Sequence, residues 1–255
     1  MKNFNLLDVV SIAEEASKLI MNFYQSGDFE VKIKSDKSPV TEADLQSSSL
    51  IVKRLEEISD YPVLSEEKVV DYQIRKDWNF FWLVDPLDGT KDFIKRTGDF
   101  TVNIALIENH KPVLGVVAIP AQNLVYFAKE GEGARCKSSK GVEKISASLG
   151  HEPLRCAVSR FHCSAETEAF CERNGIKEKV GYGSALKMCK IAEGEVDIYP
   201  RLSPTMEWDT AAGHAIMNEA GGKIVSAVNY EPLQYNKESL YNDPFIASRV
   251  DLDLK

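Results

Sequence analysis

The chain has 255 residues, 44% hydrophobic and 27% charged, which is enough for a sizeable core and for one to two domains at roughly 150 residues each. With 31 Lys+Arg against 39 Asp+Glu the net charge is −8, which argues against a nucleic-acid groove and against an anionic membrane face, since both need clustered cations. Cys136, Cys156, Cys163, Cys171 and Cys189 form no CxxC pair, and His110, His151, His162 and His214 are scattered, so reduced structural thiols are expected and structural zinc is not.

Leu6, Val9, Val10, Ala13, Ala16, Leu19, Ile20 and Phe23 recur at three- and four-residue steps, which predicts an amphipathic helix ending before Ser26-Gly27. Asp8, Glu14, Glu15 and Lys18 interrupt this run, so neither a signal peptide nor a spanning helix is expected. A second helix follows Pro39, with Thr41 as its N-cap and Leu45, Val52, Leu55 and Ile58 as its apolar face. Residues 78–84 form an aromatic and β-branched run closed by a Pro and an Asp-Gly signal, the mark of a buried strand ending in a loop. Residues 101–107, 113–119 and 124–127 read as an antiparallel meander joined by Asn109-His110-Lys111 and Pro120-Ala121-Gln122. The Lys-, Ser- and Gly-rich stretch 137–153 is the best boundary, dividing the chain into an α+β half, 1–148, and an α/β half, 149–255. In the latter, strands at 155–158 and 196–199 alternate with helices at 165–174 and 210–220, the last stopped by Gly221-Gly222.

The chemistry concentrates in residues 82–90, WLVDPLDGT. Asp85 and Asp88 stand at a strand end across a Pro/Gly-shaped turn; two such charges about 4 Å apart repel by roughly 4 kcal/mol at an effective dielectric near 20. A bound cation is the simplest reason for a fold to put them there. Glu66 follows the apolar residues 61–64, at the end of a short strand, and Asp209 opens a helix whose Ala211, Ala212 and Gly213 allow close packing. Carboxylates without His or Cys select a hard cation, by default Mg²⁺. If Glu66, Asp85, Asp88 and Asp209 converge, they can hold two or three Mg²⁺ ions and turn an acidic pocket into one that attracts phosphate. Each piece also has a plain reading: a turn, an N-cap, a solvated acid. Asp44 in Thr41-Glu42-Ala43-Asp44 reads either as the acid of a capping box or as a catalytic group.

Asp85-Pro86-Leu87-Asp88-Gly89-Thr90 followed by Trp208-Asp209-Thr210-Ala211-Ala212-Gly213 resembles the paired signature of the Mg²⁺-dependent, lithium-sensitive inositol monophosphatase superfamily, and the likeness extends over nearly the whole chain. Residues 37–44, 62–67, 82–95, 100–107, 183–187 and 199–201 are similar to its bacterial 3′(2′),5′-bisphosphate nucleotidase branch. Lys91-Asp92-Phe93 and Glu207 stand where inositol phosphatases usually carry Thr-Asn-Phe and Cys, which favours the nucleotidase.

The resemblance implies an α/β sandwich of the sugar-phosphatase type, layered αβαβα, with the active site between a metal-binding first half and a nucleotide-binding second half. It implies Glu66, Asp85, Asp88, Asp209 and the Leu87 carbonyl as metal ligands, and Asp44 with Thr90 as the pair that orients and deprotonates a metal-bound water. Gly89 and Thr90 would offer amides to the scissile phosphate beside Asp209, and Ser184, Lys187 and Arg201 would hold the phosphate that is not cleaved. Lys187 and Arg201 read alternatively as surface cations, and His162 either stacks on adenine or is a polar loop residue. The implied reaction is hydrolysis of the 3′-phosphate of adenosine 3′,5′-bisphosphate, with its sulfated form as a further substrate, in sulfur assimilation. An inositol or sugar phosphatase, or a scaffold that has lost catalysis, is the alternative. The expected partner is a small phosphorylated nucleotide and no nucleic acid, for a monomer in the cytoplasm without an integral membrane segment, peripheral contact at the inner membrane staying open.

Overall fold

Asn5 opens the first helix: its side chain accepts the Leu7 and Asp8 N–H groups while Asp8 reaches back to the Asn5 N–H at 2.8 Å. The helix, α1 (Leu6–Ser26), ends where Gly27 adopts φ 70°, and it buries Leu6, Val9, Val10, Ile12, Ala13, Ala16 and Ile20. The computed structural model describes residues 4–27, 29–33, 39–147, 150, 152–160, 163–250 and 252. A short ribbon of β1 (Val31–Ile33) and β2 (Pro39–Thr41) leads to α2 (Glu42–Ile58), capped by Thr41. The inward face of α2 differs from the expected one: Leu45 is exposed, and Ala43, Asp44, Ser47, Ser48, Ile51 and Leu55 are buried. The small serines let the helix approach the sheet and bond to it, Ser47 Oγ to the Pro86 carbonyl at 2.9 Å and Ser48 Oγ to Ser65 Oγ at 3.1 Å.

The larger sheet contains β3 (Val63–Ser65), β4 (Phe80–Asp88), β5 (Thr101–Glu108), β6 (Lys111–Ile119), β7 (Leu124–Lys129), β8 (Ala134–Ser138) and β9 (Gly141–Lys144) in that spatial order. Within this sheet, among the described residues, only β3 and β4 pair in parallel. The short α3 (Tyr72–Arg75) precedes β4, and α4 (Thr90–Ile94) follows it. Asn109 and His110, at φ 47° and 68°, turn β5 into β6, as hairpin connections require. One expectation is corrected here. The strand expected at 78–84 runs on through Asp88, its register shifting between Asp85 and Asp88, so Asp-Pro-Leu-Asp belongs to an irregular strand end and not to a turn beyond it. The stretch expected as a boundary begins inside the β8–β9 hairpin, where an exposed edge strand accommodates a charged, Gly-containing sequence.

The smaller sheet combines β10 (Arg155–Ser159), β11 (Glu178–Tyr182), β12 (Ile198–Arg201), β13 (Gly222–Ser226) and β14 (Phe245–Arg249) in the order β11-β10-β12-β14-β13. Its helices are α5 (Ala165–Arg173), α6 (Leu186–Ala192) and α7 (Glu207–Ala220). Alternation along the strands separates the cores. Trp82, Val84, Ile104 and Val116 pack with α1 and α2; Phe81, Leu83, Ala105 and Val117 pack with α6 and α7, which also cover Ala157 and Ala247 of the smaller sheet. Phe170 and Cys171 of α5 lie with Cys156 and Ile198 on the outer side. The layers therefore run helix, sheet, helix, sheet, helix. Gly115 marks a close seam between the larger sheet and α7, since a Cβ there would lie 2.2 Å from the Ala212 carbonyl oxygen. The division at 148/149 falls on residues outside the described ones. Among the described residues no helix is long and apolar enough to cross a membrane.

Candidate active site

The layering brings the end of β4 to the start of α7. One carboxylate oxygen from each of Asp85, Asp88 and Asp209 lies within 4.8 Å of the others. Asp209 does not open its helix, as its sequence position suggests, but stands in the first turn: Met206 is the N-cap, and Asp209 Oδ2 accepts the Met206 N–H at 2.8 Å. The positive helix end favours a carboxylate there. Glu66 follows β3, whose Ser65 pairs with Val84, and its N–H donates to the Val84 carbonyl at 3.1 Å, which places it beside Asp85 in the same cavity.

Electrostatics tests whether this donor set suits a cation. Burial, then the charges of Glu66, Asp88 and Asp209, hold the Asp85 carboxyl well above the usual carboxylate range. Burial pushes Asp88 up to about 6 against the pull of Lys187, and burial followed by the Asp88 charge pushes Asp209 up to about 8. Such acids ionise fully only when positive charge joins them, and an all-oxygen set suits a hard divalent ion. The residues fit a metal of that class.

Asp44 is the capping-box acid through one oxygen and meets Thr90 through the other. Its Oδ2 caps α2, accepting the Thr41 N–H at 2.8 Å and the Thr41 hydroxyl, while Oδ1 accepts the Thr90 hydroxyl at 3.1 Å. Thr90 Oγ1 also lies 3.5 Å from the Leu87 carbonyl. Burial raises the Asp44 pKa, and the hydrogen bonds from Thr41 and Thr90 oppose it. Between the strand and Thr90, Gly89 adopts φ 86°, and a Cβ on it would strike Ser184 Oγ at 2.1 Å. Only glycine fits this seam.

Ser184, Lys187 and Arg201 line the same cavity, whose volume is about 940 Å³. All three have partners within the protein. Ser184 Oγ donates to the Asp88 carbonyl at 2.9 Å, and Lys187, buried, donates to the Tyr182 and Ser184 carbonyls at 3.3 and 2.9 Å while lying over the Tyr199 ring. Burial brings Lys187 down to about 8. Arg201 bonds Ser159 Oγ at 3.1 Å through Nη1, and its Nε is buried with no acceptor among the described residues. Lys187 is thus not a surface cation, and Arg201 is half-buried. His162 lies outside the described residues. Sequence reasoning passes over Arg160, which lines the cavity two positions before His162, and Asp99, which binds it at 2.6 Å. A cation at the end of a strand is the available signal.

The sequence matches the inositol monophosphatase family over residues 5–246. It is 42% identical to the 3′(2′),5′-bisphosphate nucleotidase CysQ of Escherichia coli strain K12, over 94% of this chain and 98% of that protein. The crystal structure of CysQ from Bacteroides thetaiotaomicron, a bacterial member of the inositol monophosphatase family, is similar with a TM-score of 0.86 at 40% identity, covering 96% of this chain and 97% of the other. The Thermotoga maritima IMPase is similar with a TM-score of 0.75 at 27% identity, covering 94% and 89%. A match from residue 5 to residue 246 takes in β4, α7 and the acids they bring together: the chain belongs to the inositol monophosphatase family.

Proposed function

We propose that this chain hydrolyses the 3′-phosphate of adenosine 3′,5′-bisphosphate to AMP and phosphate, in sulfur assimilation, and accepts the sulfated form of that nucleotide. The observation that carries the reading is one cavity lined by the Asp85, Asp88 and Asp209 cluster and by Arg160, Lys187 and Arg201, in a chain 42% identical to nucleotidases over most of its length. Enzymes of the inositol monophosphatase family are metal-dependent. Here Asp85, Asp88 and Asp209, with Glu66 and the Leu87 carbonyl, would hold two or three Mg²⁺ ions. When bound, Mg²⁺ acidifies water and offsets the charge that builds on the phosphoryl group and leaving oxygen.

The chain's own groups then have distinct tasks. Asp44, an acceptor held on both oxygens, draws the Thr90 proton toward itself and leaves the Thr90 oxygen free to accept from the attacking water. Water oxygen bonds to phosphorus as the bond to the ribose 3′-oxygen breaks, the proton lost by the attacking water passing through Thr90 to Asp44 and the leaving oxygen taking a proton from a solvent water. The Gly89 and Thr90 amides at the start of α4 face the transferred group. Arg201, with an unaccepted Nε, and Lys187, with one of its three donors beyond its two carbonyl bonds, hold the phosphate that stays. Ser184 supports Asp88 rather than the nucleotide, since its proton is given to the Asp88 carbonyl. We read the enzyme as a cytoplasmic monomer.

The test is Mg²⁺-supported phosphate release from adenosine 3′,5′-bisphosphate, inositol 1-phosphate and fructose 1,6-bisphosphate side by side, with and without Li⁺. Preference for the nucleotide with inhibition by Li⁺ is expected. Preference for inositol or sugar phosphate would keep the metal cluster and discard the nucleotide assignment, and no release from any would favour a scaffold.

A further inference from the structure

Beside the acid cluster stands a buried carboxylate with no part in the hydrolysis itself. Asp99, 3% exposed, immediately precedes Phe100 and β5. Three donors converge on its Oδ2: the Gly183 N–H at 2.9 Å, Arg160 Nε at 2.9 Å and Arg160 Nη2 at 2.6 Å. An ionised carboxylate oxygen accepts several such bonds at once, and an amide oxygen accepts them more weakly. Gly183 is pressed onto this acid so closely that a Cβ would lie 2.7 Å from Asp99 Cβ and 3.0 Å from Asp92 Cγ.

The contact matters because of the turn that Gly183 begins. Ser184 sits at φ 47°, a left-handed conformation that a non-glycine residue adopts at a cost. From there the chain makes two bonds to one residue: Ser184 Oγ to the Asp88 carbonyl at 2.9 Å and the Ala185 N–H to Asp88 Oδ2 at 2.8 Å. Lys187 holds the Tyr182 and Ser184 carbonyls of the same turn. Asp88 Oδ2 also accepts from Thr101 Oγ1 and Asn103 Nδ2 of β5, both at 3.5 Å, but its shortest bond comes from this segment of the C-terminal layer, which Asp99 fastens back onto the larger sheet's side. The Arg160 end of the same carboxylate reaches the cavity wall.

We propose that Asp99 is a positioning residue of the active site: it fixes the Gly183–Ala185 turn, through that turn the carboxylate of Asp88, and through Arg160 it ties the metal end of the cavity to the nucleotide end. The inference rests on the reading of Asp88 as a cation ligand. It requires that the oxygen of Asp99 act through hydrogen bonds and not through stability alone.

The experiment titrates metal-free wild type, Asp99→Asn, Arg160→Gln and Asp88→Asn with Mn²⁺, followed by electron paramagnetic resonance without substrate, and measures kcat, KM and the half-activating Mg²⁺ concentration. Mn²⁺ affinity should weaken about tenfold in Asp99→Asn and about threefold in Arg160→Gln, at and below the low end of the 10–100-fold usual when a ligand's hydrogen-bond partner is removed. The Mg²⁺ requirement should shift in parallel, and Arg160→Gln should also raise the nucleotide KM. A lowered melting temperature in Asp99→Asn with wild-type Mn²⁺ affinity overturns the proposal. If Asp99→Asn does not fold, Arg160→Gln decides, and unchanged metal affinity in it overturns the proposal as well. Wild-type affinity in Asp88→Asn would instead sink the ligand reading, whereas loss in Asp88→Asn beside wild-type affinity in the other two sinks only the role of Asp99.

Discussion

The acids and the cations of the cavity are held by different means. Asp85 and Asp88 ride on the irregular end of β4, Glu66 directly after the neighbouring parallel strand and Asp44 on the first turn of a capped helix, so strand and helix ends carry all four. Arg160, Lys187 and Arg201 belong to loops and short elements around the smaller sheet, and they reach their positions through side-chain bonds to Asp99, to backbone carbonyls and to Ser159. The first arrangement is rigid and repels itself without a cation. The second is held by individual contacts that can be removed one at a time. Changes among the acids should therefore act on turnover, and changes among the cations on substrate choice.

The sharpest way to break that division is Asp88→Asn, which keeps the shape but removes a charge from the three-acid cluster. We expect kcat to fall about 10³-fold, the loss typical when a main electrostatic stabiliser is removed, with Mg²⁺ affinity reduced. Turnover near wild type at saturating Mg²⁺ would end the assignment. Next come Asp44→Asn and Thr90→Ala, each expected to lower kcat by about 10²-fold with little change in KM, because the pair handles a proton and binds no charge. The double variant should lose no more than the larger single loss; additive losses would mean that the 3.1 Å hydrogen bond does not make them one unit. Arg201→Ala should raise KM for adenosine 3′,5′-bisphosphate at least about tenfold, as expected for one charge-assisted bond to phosphate, and leave adenosine 3′-monophosphate unaffected. An equal loss on both substrates would place Arg201 at the scissile phosphate and blur the two regions into one.

Legibility in the sequence divides along the same line. The acids are visible because each sits in a contiguous signal of strand end, turn residue or helix start, and α1 and the β5–β7 meander because their apolar periods report burial directly. The inward face of α2 is not, because a helix that hydrogen-bonds to a strand end buries Ser47 and Ser48, which no hydrophobic period reports. Seven-residue α6 is too short for a period, and β11, β13 and β14 are short strands whose pairing is set by the layer beneath them. Asp99 and Arg160 lie far apart in sequence and have meaning only as a pair across the layers. Ser184 and Lys187 stand out in the sequence but their partners do not, since a sequence does not say whether a polar atom faces ligand or backbone.

The smallest predicted effect is a pH dependence, and it tests whether the acid region repels itself as the geometry requires. In the metal-free protein Asp209 lies near 8 and Asp88 near 6, against 3.8 for an ordinary Asp. Between those values the folded state keeps protons that the unfolded chain has lost, so its stability falls as pH rises toward about 8. His214, buried and brought down to about 4, acts in the opposite sense between 4 and 6.5, because there the unfolded state binds the extra proton. Lys187, lowered to about 8 from 10.5, likewise gives stability that rises above pH 8. Between 6.5 and about 7 the acids act without these opposing groups, so the metal-free melting temperature should decline there, and above about 7 the Cys171 thiol, brought down to about 7 by its hydrogen bond with Cys156, opposes them. Saturating Mg²⁺ should remove the decline, since binding ionises the same carboxylates and grows tighter as their protons leave. Thermal unfolding in EDTA and in Mg²⁺ at a series of pH values checks both. A flat profile in EDTA would mean that the acids ionise without cost, and the contrast between a self-repelling acid wall and an individually tethered cationic one would no longer hold.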